Sequence, residues 1–319
     1  MIRHFLYVPF TGLGLYGGHR GSRWLRNRIK IFKQFVVPSL LNQTNQNFTL
    51  WISWRREERG NSDVVGLKNF LDEHGLESVF TYSGVCFWDD KHPDEVARER
   101  LISALHGSLK EVVNYVGDVD EVLMTIQPSD DLYEKEMVAK TQEALKDSQA
   151  VGYKHGYIIN YLTKEIREYN PKTNPPFFTI KFSKGDFIDP FKHAQHTAIK
   201  HDVGKYKKGT PYPSHEYLKD VFGTGHRYLE GRGFTVGTHL DNISTVFDHP
   251  YNGETVSSEV LRQFGVYEAD KLKVYTGVGR LILKKLPYGV RRKLRYLAGE
   301  KKSIFKPIFA FIYWVLRTL

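Results

Sequence analysis

The alternation of apolar pattern through the first 86 residues constrains this chain more than any other feature. "HFLYVPF" reads as a buried strand, "RIKIFKQFVVPSLL" as a helix, "FTLWISW" as a strand, "VVGLKNFLDEHG" as a helix and "SVFTYSG" as a strand. A β-α-β-α-β order predicts an α/β fold, a mostly parallel sheet with covering helices. Further on, Ile102, Leu105, Leu109, Val112 and Val116 recur at spacings of three and four, the apolar face of one more helix. "EVLMTI" then predicts a buried strand, and Pro128, Ser129, Asp130 and Asp131 follow at its carboxyl end. In open α/β sheets that edge is where ligands bind.

From Val151 to His249 the pattern loosens into short β-prone pieces, "VGYKHGYIINYL", "FFTIKF" and "FTVGTHL", which read as the second half of the same domain. The single cysteine, Cys86, excludes an intrachain disulfide and a cysteine-rich zinc site, and predicts a reducing compartment. "FLYVPF" is too short for the apolar core of a signal peptide, and no segment reaches the roughly 20 apolar residues that span a bilayer. The net charge is +10, yet residues 272–319 hold twelve Lys/Arg against one acid, Glu300. The preceding 271 residues are therefore close to neutral, and the end of the chain is a polycation.

Two readings of the aspartate pair stand side by side. Asp131 with Glu134 three residues on has the spacing of a capping box at a helix start. Adjacent carboxylates in a loop at a strand end also suit Mg²⁺ or Mn²⁺, hard cations that take oxygen ligands and bridge diphosphate oxygens. A departing diphosphate gains charge in the transition state and needs that neutralisation.

The segment "RWLRNRIKIFKQFVVPSLLNQTNQNFTLWISW" resembles the signature of the rhamnosyltransferase family of GT-A glycosyltransferases. Trp24, Leu25, Arg28, Phe32, Pro38, Ser39, Leu40, Gln43, Thr44 and Phe48 stand in matching places. The Pro-Ser-Asp-Asp stretch falls where that family carries an Asp-x-Asp-Asp run, and "GFTVGTHLDNIS" resembles its late His-x-x-Asn piece. The sequence departs from the family in two places: Pro128 replaces the first aspartate of the run, and Trp54 and Arg55 stand where the family has an acid after its second strand. The resemblance implies a GT-A (Rossmann-like) fold and metal-assisted, inverting transfer of a sugar from a nucleotide-sugar donor to a glycan or lipid-linked acceptor. It implies Asp130, Asp131 and His239 as metal ligands, and Arg28, Ser129 and Asp130 as contacts to the donor.

Inverting transfer needs a general base for the acceptor hydroxyl. Glu216 in "PSHEYLKDV" is the first candidate and Asp189 in "GDFIDPF" the second. Gly12-x-Gly14-x-x-Gly17 has dinucleotide-fingerprint spacing, but Ile31–Gln43 lacks the acid that fingerprint requires. His193, His196, His201 and Asp202 offer metallohydrolase ligand types without a complete set. They define one alternative function; a non-catalytic membrane-surface adaptor on a degenerate transferase fold is the other.

In the polycationic end, Leu281, Ile282, Leu286, Val290, Leu294 and Leu297 alternate with Lys and Arg in the manner of basic amphipathic helices that lie on anionic membranes. Such cations also suit nucleic acid, but the apolar runs "LILKKL" and "IFAFIYWVL" favour lipid. A helical pair packed on the main domain shows the same periodicity. The expected layout is a transferase domain over residues 1–250 and a membrane-associating region over 251–319, on the cytoplasmic face of the inner membrane.

Overall fold

The computed structural model describes residues 1–14, 21–86, 103–104, 106–171, 175, 177–189, 222–239, 247, 252–267 and 290. Strand β1 (Ile2–Val8) is central; β2 is the two-residue strand Leu13–Gly14. The helical stretch that follows is three pieces in one run: α1 (Gly21–Ile31), a π-helical turn (Phe32–Val36) and α2 (Val37–Leu41). Pro38 explains the wide turn, because in a continuous α-helix its ring would strike the carbonyl four residues back. Strand β3 (Thr49–Arg55), helix α3 (Ser62–Glu73), strand β4 (Ser78–Cys86), helix α4 (106–112) and strand β5 (Glu121–Ile126) complete the first half.

The order β5-β1-β3-β4 is parallel throughout, with Ile2 opposite Glu121, Phe5 opposite Thr49 and Leu50 opposite Ser78. Side chains of β1 alternate between two cores. Leu6 and Val8 join Leu25, Phe32, Phe35, Val64 and Leu71 on one face, while Phe5 and Tyr7 join Leu109, Val112 and Val116 on the other. A strand buried on both faces reads as a continuous apolar run, and "FLYV" does.

The second half turns antiparallel. It comprises β6 (Leu132–Tyr133), α5 (Met137–Ala144), β7 (Ala150–Asn160), β8 (Ile166–Tyr169), β9 (Phe178–Ser183), α6 (Lys184–Ile188), β10 (His226–Thr238) and β11 (Thr255–Val256). Strand β9 runs antiparallel to β5 and to β7, whereas β10 runs parallel to β7 and crosses over to meet β6. The sheet is thus parallel where the alternating pattern predicts it and mixed beyond residue 126. Residues 252–267, past the expected boundary at 250, belong to this body. Val256 pairs with Ile166, and Leu261, Phe264 and Val266 are buried in the main core. Among the described residues no helix is long and apolar enough to cross a membrane. The polycationic end lies outside them, apart from Val290.

A buried histidine in β1 gives the fold an acid-sensitive point. His4 bonds Thr125 Oγ1 at 2.7 Å and receives Gln142 at 3.2 Å, and burial lowers its pKa from 6.5 to about 3. A lowered histidine stabilises the fold fully above its unfolded value and loses that contribution as pH falls. We expect unfolding free energy to drop between pH 6.5 and about 3 with a one-proton slope, up to about 1.4 kcal/mol per pH unit. Urea titrations across that range should show the slope in wild type and its loss in His4→Gln; equal slopes would contradict the assignment.

Candidate functional site

The parallel register brings the carboxyl ends of β1, β3 and β5 to one edge, and the ladder continues one step further, with Gln127 N–H donating to Tyr7 O at 2.8 Å. There the chain turns, Asp131 N–H donating to Pro128 O at 3.3 Å. The Gln127 side-chain amide ties the turn off, donating to Pro128 O at 2.9 Å and to Asp131 O at 2.8 Å. Ser129, Asp130 and Asp131 are all buried.

The two aspartates face different partners. Asp131 Oδ1 accepts the Gly237 N–H at 2.8 Å and so binds the turn to β10. Burial, and then the neighbouring charge of Asp130, raise its carboxyl well above the ordinary range, although the Gly237 N–H and Arg28 pull the other way. The capping-box reading is thereby corrected. Residues 132–133 are strand, α5 starts at Met137 behind Glu136, and Glu134 instead pairs with Lys140 at 2.5 Å and accepts the Tyr153 hydroxyl at 3.1 Å. The buried second half of β10 draws residues 132–133 into a ladder, Phe234 opposite Tyr133 and Thr235 opposite Leu132, before a helix can begin.

Asp130 is ion-paired with Arg28 of α1, and His239, just past β10, closes a triangle. His239 Nε2 lies 2.5 Å from Arg28 Nη1 and 3.1 Å from Asp130 Oδ2. A guanidinium only donates, so the Arg28 contact is made with Nε2 unprotonated, whereas the contact to Asp130 Oδ2 is a hydrogen bond when Nε2 carries the proton; the protonation state of His239 selects between the two. The Arg28 and Asp130 side chains are 12% and 6% exposed, which makes this a buried pair and not a surface one. Burial raises the Asp130 pKa, but Arg28 and His239 outweigh it and hold the carboxylate below its usual range. Arg28 also lies 5.6 Å from the Trp24 ring, one helical turn back. Tyr161 supports the turn from beneath, its hydroxyl donating to Asp130 O at 2.7 Å and its ring packed 4.0 Å from Phe35.

A second carboxylate stands at the same edge. Glu58 accepts the Thr11 hydroxyl, beyond β1, and the Arg55 N–H at 3.1 Å, at the end of β3. Burial raises its pKa, while its hydrogen bonds and Arg55 offset part of that rise. Trp54 is fully buried between Phe10 at 4.5 Å and Phe80 at 5.6 Å, so it is a core residue. An acid does follow this strand, three residues later than the family resemblance places it, and the Arg55–Glu58 spacing was its signal.

The described glycines of the motif, Gly12 and Gly14, are engaged with the sheet. A Cβ on Gly84 would fall 2.6 Å from Gly12 O, and Leu13–Gly14 pairs in parallel with Val85–Cys86. Gly12 serves close passage of the chain over β3 and β4; Gly17 lies outside the described residues.

Of the expected site residues, Arg28, Ser129, Asp130, Asp131 and His239 come together. Asp189 does not. Because β9 is antiparallel to β5, Ser183 sits opposite Glu121, and α6 with Asp189 follows at the amino end of β5. Six residues of strand, roughly 20 Å, separate that end of β5 from Asp130. Glu216, His193, His196, His201 and Asp202 lie outside the described residues.

The three expected metal ligands can be tested on geometry. Asp130 and His239 converge, but on Arg28, while Asp131 is turned to β10. Among the described residues no group of three or more His, Cys, Asp or Glu side chains is arranged to hold a metal ion. The set as it stands does not fit Mg²⁺ or Mn²⁺, and the chemistry proposed for the site does not pass through one.

No family model matches the sequence. No curated protein matches it. Among solved structures, the galactosyltransferase LgtC in complex with donor and acceptor sugar analogs is similar over 92% of this chain and 100% of its own, at 13% identity and TM-score 0.40. An active-site mutant of LgtC covers 100% of this chain and 97% of its own, at 13% identity and TM-score 0.34. Similarity at these TM-scores carries no weight in assigning a function.

Proposed function

We propose that the chain is a glycosyltransferase whose nucleotide-sugar donor binds at the carboxyl edge of β1, β3 and β5. The observation that carries this reading is the buried Asp130–Arg28–His239 triangle at that edge, a place where α/β sheets take ligands. The resemblance from Trp24 to Phe48 supports it, since Arg28 and the residues that orient α1 fall within that stretch. A fixed guanidinium beside the leaving diphosphate supplies the charge stabilisation that transfer needs, and it does so in a water-poor site where it acts strongly. The acceptor is a glycan or lipid-linked sugar, and the carboxylate that deprotonates its hydroxyl is Glu216 in this reading.

Release of nucleoside diphosphate by the full chain from UDP-, dTDP-, GDP- and CDP-sugars tests the proposal. One nucleotide class should be turned over, and Arg28→Ala should slow it by about 10²–10³-fold. Absence of release from every donor, with no binding of any, would sink it.

In the same reading residues 272–319 hold the enzyme against an anionic membrane that carries the acceptor. Twelve Lys/Arg among apolar runs support this, at about 1 kcal/mol for each cation near the surface. The full chain should sediment with phosphatidylserine vesicles and be released by salt. Equal sedimentation with neutral phosphatidylcholine vesicles would count against it.

A further inference from the structure

We propose that Arg28 is the resident cation of this site: its guanidinium takes the place between Asp130 and His239 that a divalent ion would take, and it meets donor phosphates without a metal. The role toward phosphates rests on the donor-site reading; the role as cation rests on geometry alone.

Asp130 Oδ2 and His239 Nε2 lie 3.1 Å apart. Two neighbouring ligands of an octahedral ion with bonds of about 2.1 Å stand about 3.0 Å apart. The pair therefore has the spacing of a metal clamp, yet both atoms close on Arg28 Nη1. A divalent ion on the same two atoms would touch a guanidinium in a buried place, where like charges repel strongly. Arginine keeps its charge at every relevant pH, so the competition cannot be relieved by deprotonation. The third expected ligand, Asp131, spends an oxygen on Gly237 N–H and does not complete a sphere.

Arg28 is also built to stay. It projects from a helix with Leu25 and Ile29 in the core, and its charge lies near the Trp24 ring. Both contacts in the triangle use Nη1. The buried Nε has no hydrogen-bond partner among the described residues. The Nε–Nη2 edge, the one that grips phosphate or carboxylate oxygens in pairs, takes no part in these two contacts.

Titration of the full chain with Mn²⁺ alone, following the free-ion signal by electron paramagnetic resonance, tests the inference without any nucleotide. Wild type should bind Mn²⁺ weakly. Arg28→Met and Arg28→Gln, which free the clamp, should bind about tenfold more tightly or better, and adding His239→Ala should remove the gain. Wild type binding Mn²⁺ as tightly as folded Arg28 variants overturns the proposal. If circular dichroism shows neither variant folded, wild type decides: tight Mn²⁺ binding overturns the proposal and weak binding upholds it. Nucleoside diphosphate affinity should be the same in EDTA as in Mn²⁺; affinity that requires Mn²⁺ overturns the proposal as well. The two readings fail separately. Tight Mn²⁺ binding by wild type removes the resident cation and leaves the donor site standing. Mn²⁺ gained by the variants, with no nucleoside diphosphate bound in any arm, leaves the cation and removes the donor site.

Discussion

Asp130→Asn should unfold at markedly lower denaturant than wild type, with a loss of about 3–5 kcal/mol, while Asp131→Asn, one residue away, should stay within about 1 kcal/mol of wild type at neutral pH or exceed it. The contrast follows from what each carboxylate faces. Asp130 neutralises a buried arginine, and removing its charge leaves Arg28 without its ion-pair partner in a place almost closed to water. Asp131 has its pKa raised by burial and by Asp130. A raised carboxyl contributes stability below its unfolded pKa and loses it as pH rises, so at neutral pH a neutral side chain there costs little. Asparagine also keeps an oxygen for the Gly237 N–H. Urea midpoints of the two variants at pH 7 check this, and equal losses would show that the two carboxylates do not have separate roles.

Gly237→Ala should be the most damaging single methyl at the site. A Cβ there would fall 2.8 Å from Tyr161 Cζ and closer still to the carbonyl oxygen of Asp130. One of these is backbone and the other a buried ring already hydrogen-bonded to that carbonyl, so neither yields cheaply. The loss expected is about 1–3 kcal/mol or more, together with weakened donor binding, because the turn that carries Asp130 must shift. Gly156→Ala is a control for crowding away from the site. Its Cβ would meet the Phe234 ring at 2.5 Å, so it should destabilise while leaving donor affinity per folded molecule unchanged. Donor affinity lost equally in both would contradict the special role of Gly237.

The parallel half of the sheet was legible because β1, β3 and β5 are buried on both faces and write themselves as apolar runs, and because α1 and α3 carry one apolar stripe each. The place of Asp130 followed from β5 alone. Its partner did not, since Arg28 lies 102 positions away and no local pattern links a helix cation to a strand-end carboxylate across that distance. Glu58 was missed because the chain makes a tight turn after Arg55 and carries the acid back to Thr11. The direction of β9 was not legible because periodicity cannot tell an antiparallel strand from a parallel one; reversing it puts Ser183 at the amino end of β5. Gly237 did carry a signal, a glycine inside the strand pattern "FTVGTHL", which marks close approach of another backbone.

The central claim is that nucleoside diphosphates bind at the carboxyl edge around Asp130. Hydrogen exchange of the full chain, read peptide by peptide by mass spectrometry with and without UDP, dTDP, GDP and CDP, tests it most directly. One nucleotide should slow exchange in the peptides covering Phe10–Gly12, Gln127–Asp131 and Val236–His239, with little change around Ser183–Asp189 at the opposite edge. Binding that protects the Ser183–Asp189 edge, or that leaves Gln127–Asp131 unchanged, would contradict it.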